Sequence, residues 1–337
     1  MSDFQENKAL VRDYYRDLDA ASGDGITDVL RRYTSEDYLW RGMHPFYEQQ
    51  GAEAVADVFW KPFRRSFTST QRRPDVFMAG KADATIEKGI PGSEWVCSMG
   101  HLMGLFDERW LGIPSSGKMA FLRYVEFNRI EEGKIAETAL FCDIISVMQQ
   151  VGLNPLPLQT GAAFITPGPR THDGLMYEAQ DPAEGERTLA LINQMIKDLT
   201  SSYMESPEAE LARTWHHDMI WFGPAGIGAT YTRERYRAQH QGPFRAHLKD
   251  IKYNGHICRM AEGRFGGFFG WANLSMKTAG NFMGLPASDH PTEMRVVDIY
   301  RREGDKLAEN WIFIDVLHFL YLQKLDVLGR MRSILRT

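Results

Sequence analysis

Residues 134–143, KIAETALFCD, return 172 positions later as KLAENWIFID at 306–315. The repeat extends well beyond this stretch. A shift of 181 sets Asp37 on Asp218, Trp40 on Trp221, Gly42 on Gly223 and the PFR of 62–64 on that of 243–245, with no gap. A shift of 172 sets Val125 on Val297, Arg129 on Arg301, Lys134 on Lys306, Glu137 on Glu309 and Asp143 on Asp315. Self-similarity at this period describes two copies of one domain in tandem. The change of offset makes the second copy nine residues shorter between 64 and 125, and the expected place is GLFDERWLGIP (104–114) against GNFMGLP (280–286). Pro155, Pro157, Pro167, Pro169 and Pro182, with glycines among them, mark a connector. The expected division is a first domain at 1–153, a connector at 154–183 and a second domain at 184–337.

Each copy has the same order of elements. Leu10, Val11, Tyr14, Tyr15 and Leu18 fall on one face of a helix, as do Leu189, Ile192, Met195, Ile196, Leu199 and Tyr203 in the second copy. A strand with tryptophan follows, DYLW in one copy and DMIW in the other, and then a second helix ending in PFR. The rest is strand-like, with tight turns at EEGK and EGDK. Helices first and an antiparallel sheet afterwards make each copy an α+β domain.

Composition narrows the function. At 337 residues there is chain enough for two cores, and 43% hydrophobic with 25% charged residues reads as a soluble globular protein. The net charge of −5 gives no footprint for nucleic acid. The N-terminus MSDFQENKALVRDYY has neither a basic nor an apolar leader region, and no apolar run approaches the roughly 18 residues that span a bilayer, so a cytoplasmic location is expected. Cys97, Cys142 and Cys258 are too few and scattered for a disulfide framework or a zinc site and read as buried small hydrophobes.

On a strand, Glu309, Trp311, Phe313 and Asp315 share one face, and Asn310, Ile312 and Ile314 the other. Glu137, Ala139, Phe141 and Asp143 share the equivalent face of the first copy. Asp143 and Asp315 thus each end a greasy floor, where poor solvation raises a carboxyl pKa toward that of a useful base. Asp is equally a strong N-cap, and a helix is expected to start after each of them.

The stretch MRVVDIYRREGDKLAENWIFIDVLHFLYLQ (294–323), with its first-copy counterpart and the GIP and GLP turns, resembles the SnoaL-like polyketide cyclases of the nuclear transport factor 2 superfamily. The resemblance covers both copies. It implies two tandem cone-shaped domains, each a curved antiparallel sheet wrapped by N-terminal helices, packed through their sheets as a pseudo-dimer within one chain. It also implies a lyase or isomerase that closes polyketide rings by aldol-type or proton-transfer chemistry, with a buried carboxylate and no metal or cofactor. Carried over by position, Asp315 and Asp143 are the expected acid/base residues, with His101 of GHLMG where the second copy has Thr278. The alternative is a non-catalytic protein of the same fold that binds a hydrophobic ligand or a partner.

Trp40, Trp221 and Trp311 would suit a flat hydrophobic or polyketide-like ligand, with Asn310 beside them, although core packing explains the tryptophans equally well. Arg129 and Arg301 could hold an anionic group or pair with a nearby acid. GPAGIGA (223–229) lacks the βαβ setting of a phosphate loop and reads as a flexible loop. In WHHD (215–218) the two histidines are expected on opposite faces of a strand, which argues against a metal site.

Overall fold

The computed structural model describes residues 4–201 and 207–335. Helices Gln5–Ala20 and Gly25–Tyr33 open the first half, and Val11, Tyr14, Tyr15 and Leu18 form the buried face of the first of them. Strands β1 (Thr34–Gly42), β2 (Tyr47–Gln50), β3 (Phe67–Lys81), β4 (Glu94–Phe106), β5 (Met119–Glu131) and β6 (Lys134–Cys142) then form one curved sheet in the order β2-β1-β6-β5-β4-β3. The second half repeats the plan. Helices Pro182–Ser201 and Pro207–Thr214 precede β7 (Trp215–Phe222), β8 (Thr230–Tyr231), β9 (Leu248–Tyr253), β10 (Cys258–Glu262), β11 (Phe265–Thr278), β12 (Thr292–Glu303) and β13 (Lys306–Ile314). The sheet order is β10-β11-β12-β13-β7-β8, with β9 also on β11. Tyr203, expected to continue the apolar face of the first of these helices, lies outside the described residues.

Each sheet departs from a purely antiparallel one in one pair. β1 runs parallel to β6, and β7 parallel to β13, because the strand that follows the N-terminal helices is joined by the last strand of its copy only after a long excursion. Both copies also carry a π-helical turn at the same place, Ala56–Trp60 and Arg237–Gln241, just before the PFR helix.

The shortening of the second copy does not fall at 104–114. Lys81 pairs with Glu94 across a turn that runs through residues 82–93, whereas Glu262 pairs with Phe265 across Gly263 and Arg264 alone. A register shift in β11 between Gly270 and Leu274 recovers part of the length.

The two sheets pack face to face. Trp95, Phe127 and Phe141 of the first meet Phe269 of the second at ring-centroid distances of 5.4, 5.1 and 6.5 Å, and Trp311, Phe313, Val297 and Ile299 lie in the same buried layer. Alternate residues point the other way, into the cone closed by each set of helices. Burial of aromatic area on both sides of each sheet is the main stabilising term. All three cysteines are buried and free. Among the described residues no helix is long and apolar enough to cross a membrane.

Candidate active site

The two cones differ in what fills them. In the first, Trp40, Phe59, Trp60, Phe63, Phe67, Phe106 and Trp110 pack ring on ring. The Arg72 guanidinium lies 4.0 Å above the Tyr15 ring and 5.3 Å from that of Tyr124, and is ion-paired to Asp19 at 3.0 Å. Glu126 is buried within this packing, where Asn128 Nδ2 donates to it at 3.1 Å. Burial pushes the Glu126 carboxyl up, and the Arg72 charge partly opposes that.

The second cone holds a cavity of about 300 Å³. Its floor carries Asp298, Tyr300, Asn310 and Ile312. Trp215, Trp221, His240 and Phe268 form its walls, and the partly exposed Ile196, Phe244 and Ile251 lie toward its rim. At positions 172 apart, Asp298 matches Glu126 and Asn310 matches Thr138. No arginine matches Arg72, since its counterpart at a shift of 181 is Tyr253.

Asp298 is only 6% exposed. Asn310 Nδ2 donates to its Oδ1 at 3.0 Å. Burial outweighs that bond and the neighbouring Tyr300 hydroxyl, which both favour the charged form, so the Asp298 pKa is pushed up to about 7. His240 stacks on Trp221 with ring centroids 4.0 Å apart, and burial lowers its pKa to about 3. On largely apolar walls the cavity therefore offers a carboxyl poised between its two protonation states, the neutral imidazole of His240, a second histidine, His256, and the Glu210–Arg245 ion pair.

Of the acid/base and ligand-binding candidates read from the sequence, Trp221 and Asn310 line this cavity, and the other seven lie elsewhere. Trp311 and the faces ending in Asp143 and Asp315 point into the layer between the sheets, and Trp311 Nε1 donates to Pro167 O at 2.9 Å. Asp315 is fully buried. It caps the helix Val316–Leu322 through His318 N at 3.2 Å and accepts His44 N from the first domain at 2.9 Å. Asp143 caps Ile144–Gln150 through Ser146 N at 3.0 Å and accepts Ala225 N from the second domain at 2.8 Å. Burial raises the pKa of both, as a desolvated carboxyl requires, but they act as caps and cross-domain pins.

His101 lies 3.5 Å from Asp75 and, with Arg123 and Asp143, borders a pocket of about 30 Å³, the scale of a water or two. Trp40 belongs to the filled first cone, 5.6 Å from Phe59. Arg129 pairs across strands with Glu137, and Arg301 with Glu309. They are strand arginines neutralised by the repeated glutamates.

Two further expectations change. The loop at 223–229 is a docking element whose Ala225 N–H donates to Asp143 and whose Gly226 N–H donates to Gln159 Oε1 at 3.1 Å. His216 and His217 do not point apart, because β7 bulges between the pairs Leu307↔Trp215 and Glu309↔Ile220 and leaves the two rings 5.1 Å apart. Potential ligand atoms of His216, His217 and Asp218 come within 4.8 Å of one another, and His216 Nδ1 is engaged with Asp218 Oδ1 at 2.6 Å.

Asp298 lies on β12, outside the strand faces that end in Asp143 and Asp315, yet the sequence carries a signal for it. Met294, Val296, Asp298 and Tyr300 alternate with Arg295, Val297 and Ile299, which puts an acid on an apolar face, and the repeat keeps an acid there in both copies.

Residues 12–151 match the family model described as SnoaL-like polyketide cyclase. Among solved structures, the chain is similar to one described as a SnoaL-like polyketide cyclase from Jannaschia sp. CCS1. The two share 21% identity over 45% of this chain and 94% of the other, with a TM-score of 0.35. It is also similar to TsrD from Streptomyces laurentii, with 20% identity over 40% of this chain and 97% of the other and a TM-score of 0.33. An NTF2-like protein from Burkholderia xenovorans LB400 shares 13% identity over 41% of this chain and 96% of its own, with a TM-score of 0.33. No curated protein matches the chain.

Proposed function

We propose, from a first half that carries the SnoaL-like polyketide cyclase domain over residues 12–151, that this chain is a small-molecule cyclase or isomerase whose chemistry takes place in the second domain alone. The observation that carries this reading is the contrast between the cones. One is packed with aromatic rings and an arginine, and the other is hollow with Asp298 on its floor.

A cavity of about 300 Å³ with apolar walls takes a compact, flat, mostly hydrophobic molecule. Asp298 sits where it can remove a proton from a carbon made acidic by a neighbouring carbonyl and return it elsewhere on the same molecule. Its pKa of about 7 leaves both forms populated near neutral pH, which suits a group that serves as base and then as acid. Asn310 orients the carboxylate through Oδ1. The first domain, with its cone filled, is the structural partner.

The same apolar walls also suit a protein that only binds such a ligand. The two readings part at Asp298→Asn, assayed with a panel of 1,3-dicarbonyl compounds by carbon-bound proton exchange. Loss of exchange with ligand affinity retained supports the catalytic reading. Binding by both forms, with no exchange by the wild type, supports the binding reading.

A further inference from the structure

The long first-domain turn at 82–93, which has no equal in the second copy, lies against the wall of the second domain's cavity. The strand it reaches is broken there. β3 runs unbroken from Phe67 to Lys81, whereas its counterpart is split into β9 and β10 by Asn254–Ile257, a segment that holds His256. The turn occupies the break. Glu87 Oε2 accepts His256 N at 2.9 Å, Lys88 N donates to His256 O at 3.1 Å, and the Tyr253 hydroxyl donates to Glu87 Oε1 at 3.1 Å. Asp83 N donates to Arg259 O at 2.8 Å, and Thr85 Oγ1 accepts Arg259 Nη2 at 2.7 Å. Asp83 Oδ1 lies 3.6 Å from the same guanidinium.

Arg259 in turn fixes the histidine. Two groups meet His256 Nδ1: Arg259 Nη1 at 3.1 Å and the Tyr253 hydroxyl oxygen at 3.2 Å. The Tyr253 hydroxyl donates its proton's hydrogen bond to Glu87 and a guanidinium has only donors, so the Arg259 contact is the one that sets Nδ1 as an acceptor. Burial first, and the Arg259 charge second, hold His256 well below the usual histidine range, so the ring is neutral and its proton is on Nε2. The ring stacks on Phe268 at 3.9 Å, and Phe268 pairs with Asp298 across β11 and β12. Tyr253, His256, Phe268 and Asp298 all line the same cavity.

We propose that the first domain positions the active site of the second: its 82–93 turn, through Asp83, Thr85 and Glu87, holds Arg259 and Tyr253 so that His256 is kept as a neutral Nε2–H donor to a carbonyl oxygen of the ligand. This rests on the cavity being the ligand site. The ligand class is then an enolisable ketone or a related carbonyl compound. The Asp298 carboxylate takes the proton from carbon, the C–H electron pair becomes a carbon–carbon double bond, and the carbonyl oxygen becomes an enolate that accepts the His256 hydrogen bond. Return of the proton from Asp298 to carbon restores the carbonyl, and no other reactant is consumed. His256 is the donor, and Asp83 and Glu87 are positioning residues. A second copy that has lost its own long turn keeps a working site because the first copy supplies one.

The test is ¹⁵N NMR of the imidazoles in the full chain, with His256 assigned by His256→Gln, alongside binding of 2-naphthol read by tryptophan fluorescence. The expected wild-type spectrum shows the Nε2–H tautomer of His256, unchanged from pH 5 to 8. In the Asp83→Asn/Glu87→Ala double variant the Nδ1–H form should become comparably populated and 2-naphthol should bind on the order of tenfold more weakly, the loss of about one hydrogen bond. Glu87→Gln, which keeps an acceptor, should stay near the wild type on both readouts. A wild-type His256 that is Nδ1–H, mixed or titrating overturns the proposal, as does a tautomer that the double variant leaves unchanged. Failure of 2-naphthol to bind the wild type, with the tautomer as expected, overturns instead the site reading on which the donor role rests.

Discussion

The backbone N–H of His44 in the first domain donates to Asp315 Oδ2 in the second at 2.9 Å. The reverse contact exists as well, from Ala225 N to Asp143 Oδ2 at 2.8 Å. Positions 44 and 225 are equivalent in the repeat, and so are 143 and 315. The two domains therefore grip each other by the same contact made twice, as an isologous dimer does, within one chain.

Asp315→Ala removes the acceptor from two buried N–H groups at once. The lost cap costs about 1 kcal/mol. Leaving the His44 N–H without an acceptor adds roughly 1–3 kcal/mol. Urea unfolding should show a fall of that summed size, and Asp143→Ala a similar one. Asp315→Asn should fold with turnover close to wild type, and a turnover collapse in a folded Asn variant would return Asp315 to the chemistry.

Asp298→Asn should lower turnover by roughly 10² to 10⁴ while leaving ligand affinity near normal. Steady-state kinetics on any substrate found by proton exchange decides it, and an undiminished rate excludes Asp298 as the base.

The same aspartate gives stability a pH dependence of known sign. Its folded pKa of about 7 lies above the unfolded value of about 3.9, so the native state binds the extra proton between those limits. This contribution is fully present below pH 4 and is lost as pH rises through 7, on the order of 4 kcal/mol if nothing relaxes. Wild type minus Asp298→Asn, measured by denaturant unfolding at pH 5 and pH 8, should therefore shift against the wild type at the higher pH. A difference independent of pH would place the Asp298 pKa in the ordinary range.

Arg72→Leu should destabilise the first domain by about 3–5 kcal/mol, because it takes the ion-pair partner from Asp19 and leaves Glu126 buried without its nearby cation. Adding Glu126→Gln to the same chain should recover part of that loss. A chain that unfolds at the same urea concentration with and without Arg72 would show that the filled cone does not depend on it.

Trp221→Phe should weaken binding of a flat ligand and reduce the tryptophan quenching that accompanies it, since Trp221 and Trp215 are the tryptophans of the cavity wall. Trp311→Phe should leave the quenching signal intact because its ring lies between the sheets, 5.4 Å from Phe222. Equal effects from the two variants would place the ligand outside the cone.

Much of the fold is legible in the sequence, because a repeated residue reports a repeated contact. Lys134 and Lys306 donate to the backbone oxygens of Arg32 and Arg213, themselves equivalent, at the ends of equivalent helices. Arg129 with Glu137 and Arg301 with Glu309 are the same cross-strand pair. Asp143 and Asp315 are the same cap and the same pin. What the chain states twice is architecture, and the alternation of side chains along a strand assigned these residues to one face correctly.

Alternation by itself does not say which face is which. Both faces of these sheets are buried, one against helices and one against the other sheet, so hydrophobicity favours neither. Only the packing of sheet on sheet turned Trp311 and Asp315 away from the cone and left Asn310 and Asp298 facing it. The sequence by itself determined the tandem copies, their strands and the paired acids at 126 and 298. The tertiary structure decided that Arg72 and aromatic rings fill one cone while the other stays open. It also decided that a turn from the first domain completes the wall of the second, since both depend on side chains that lie far apart in the chain and meet only once the sheets have packed.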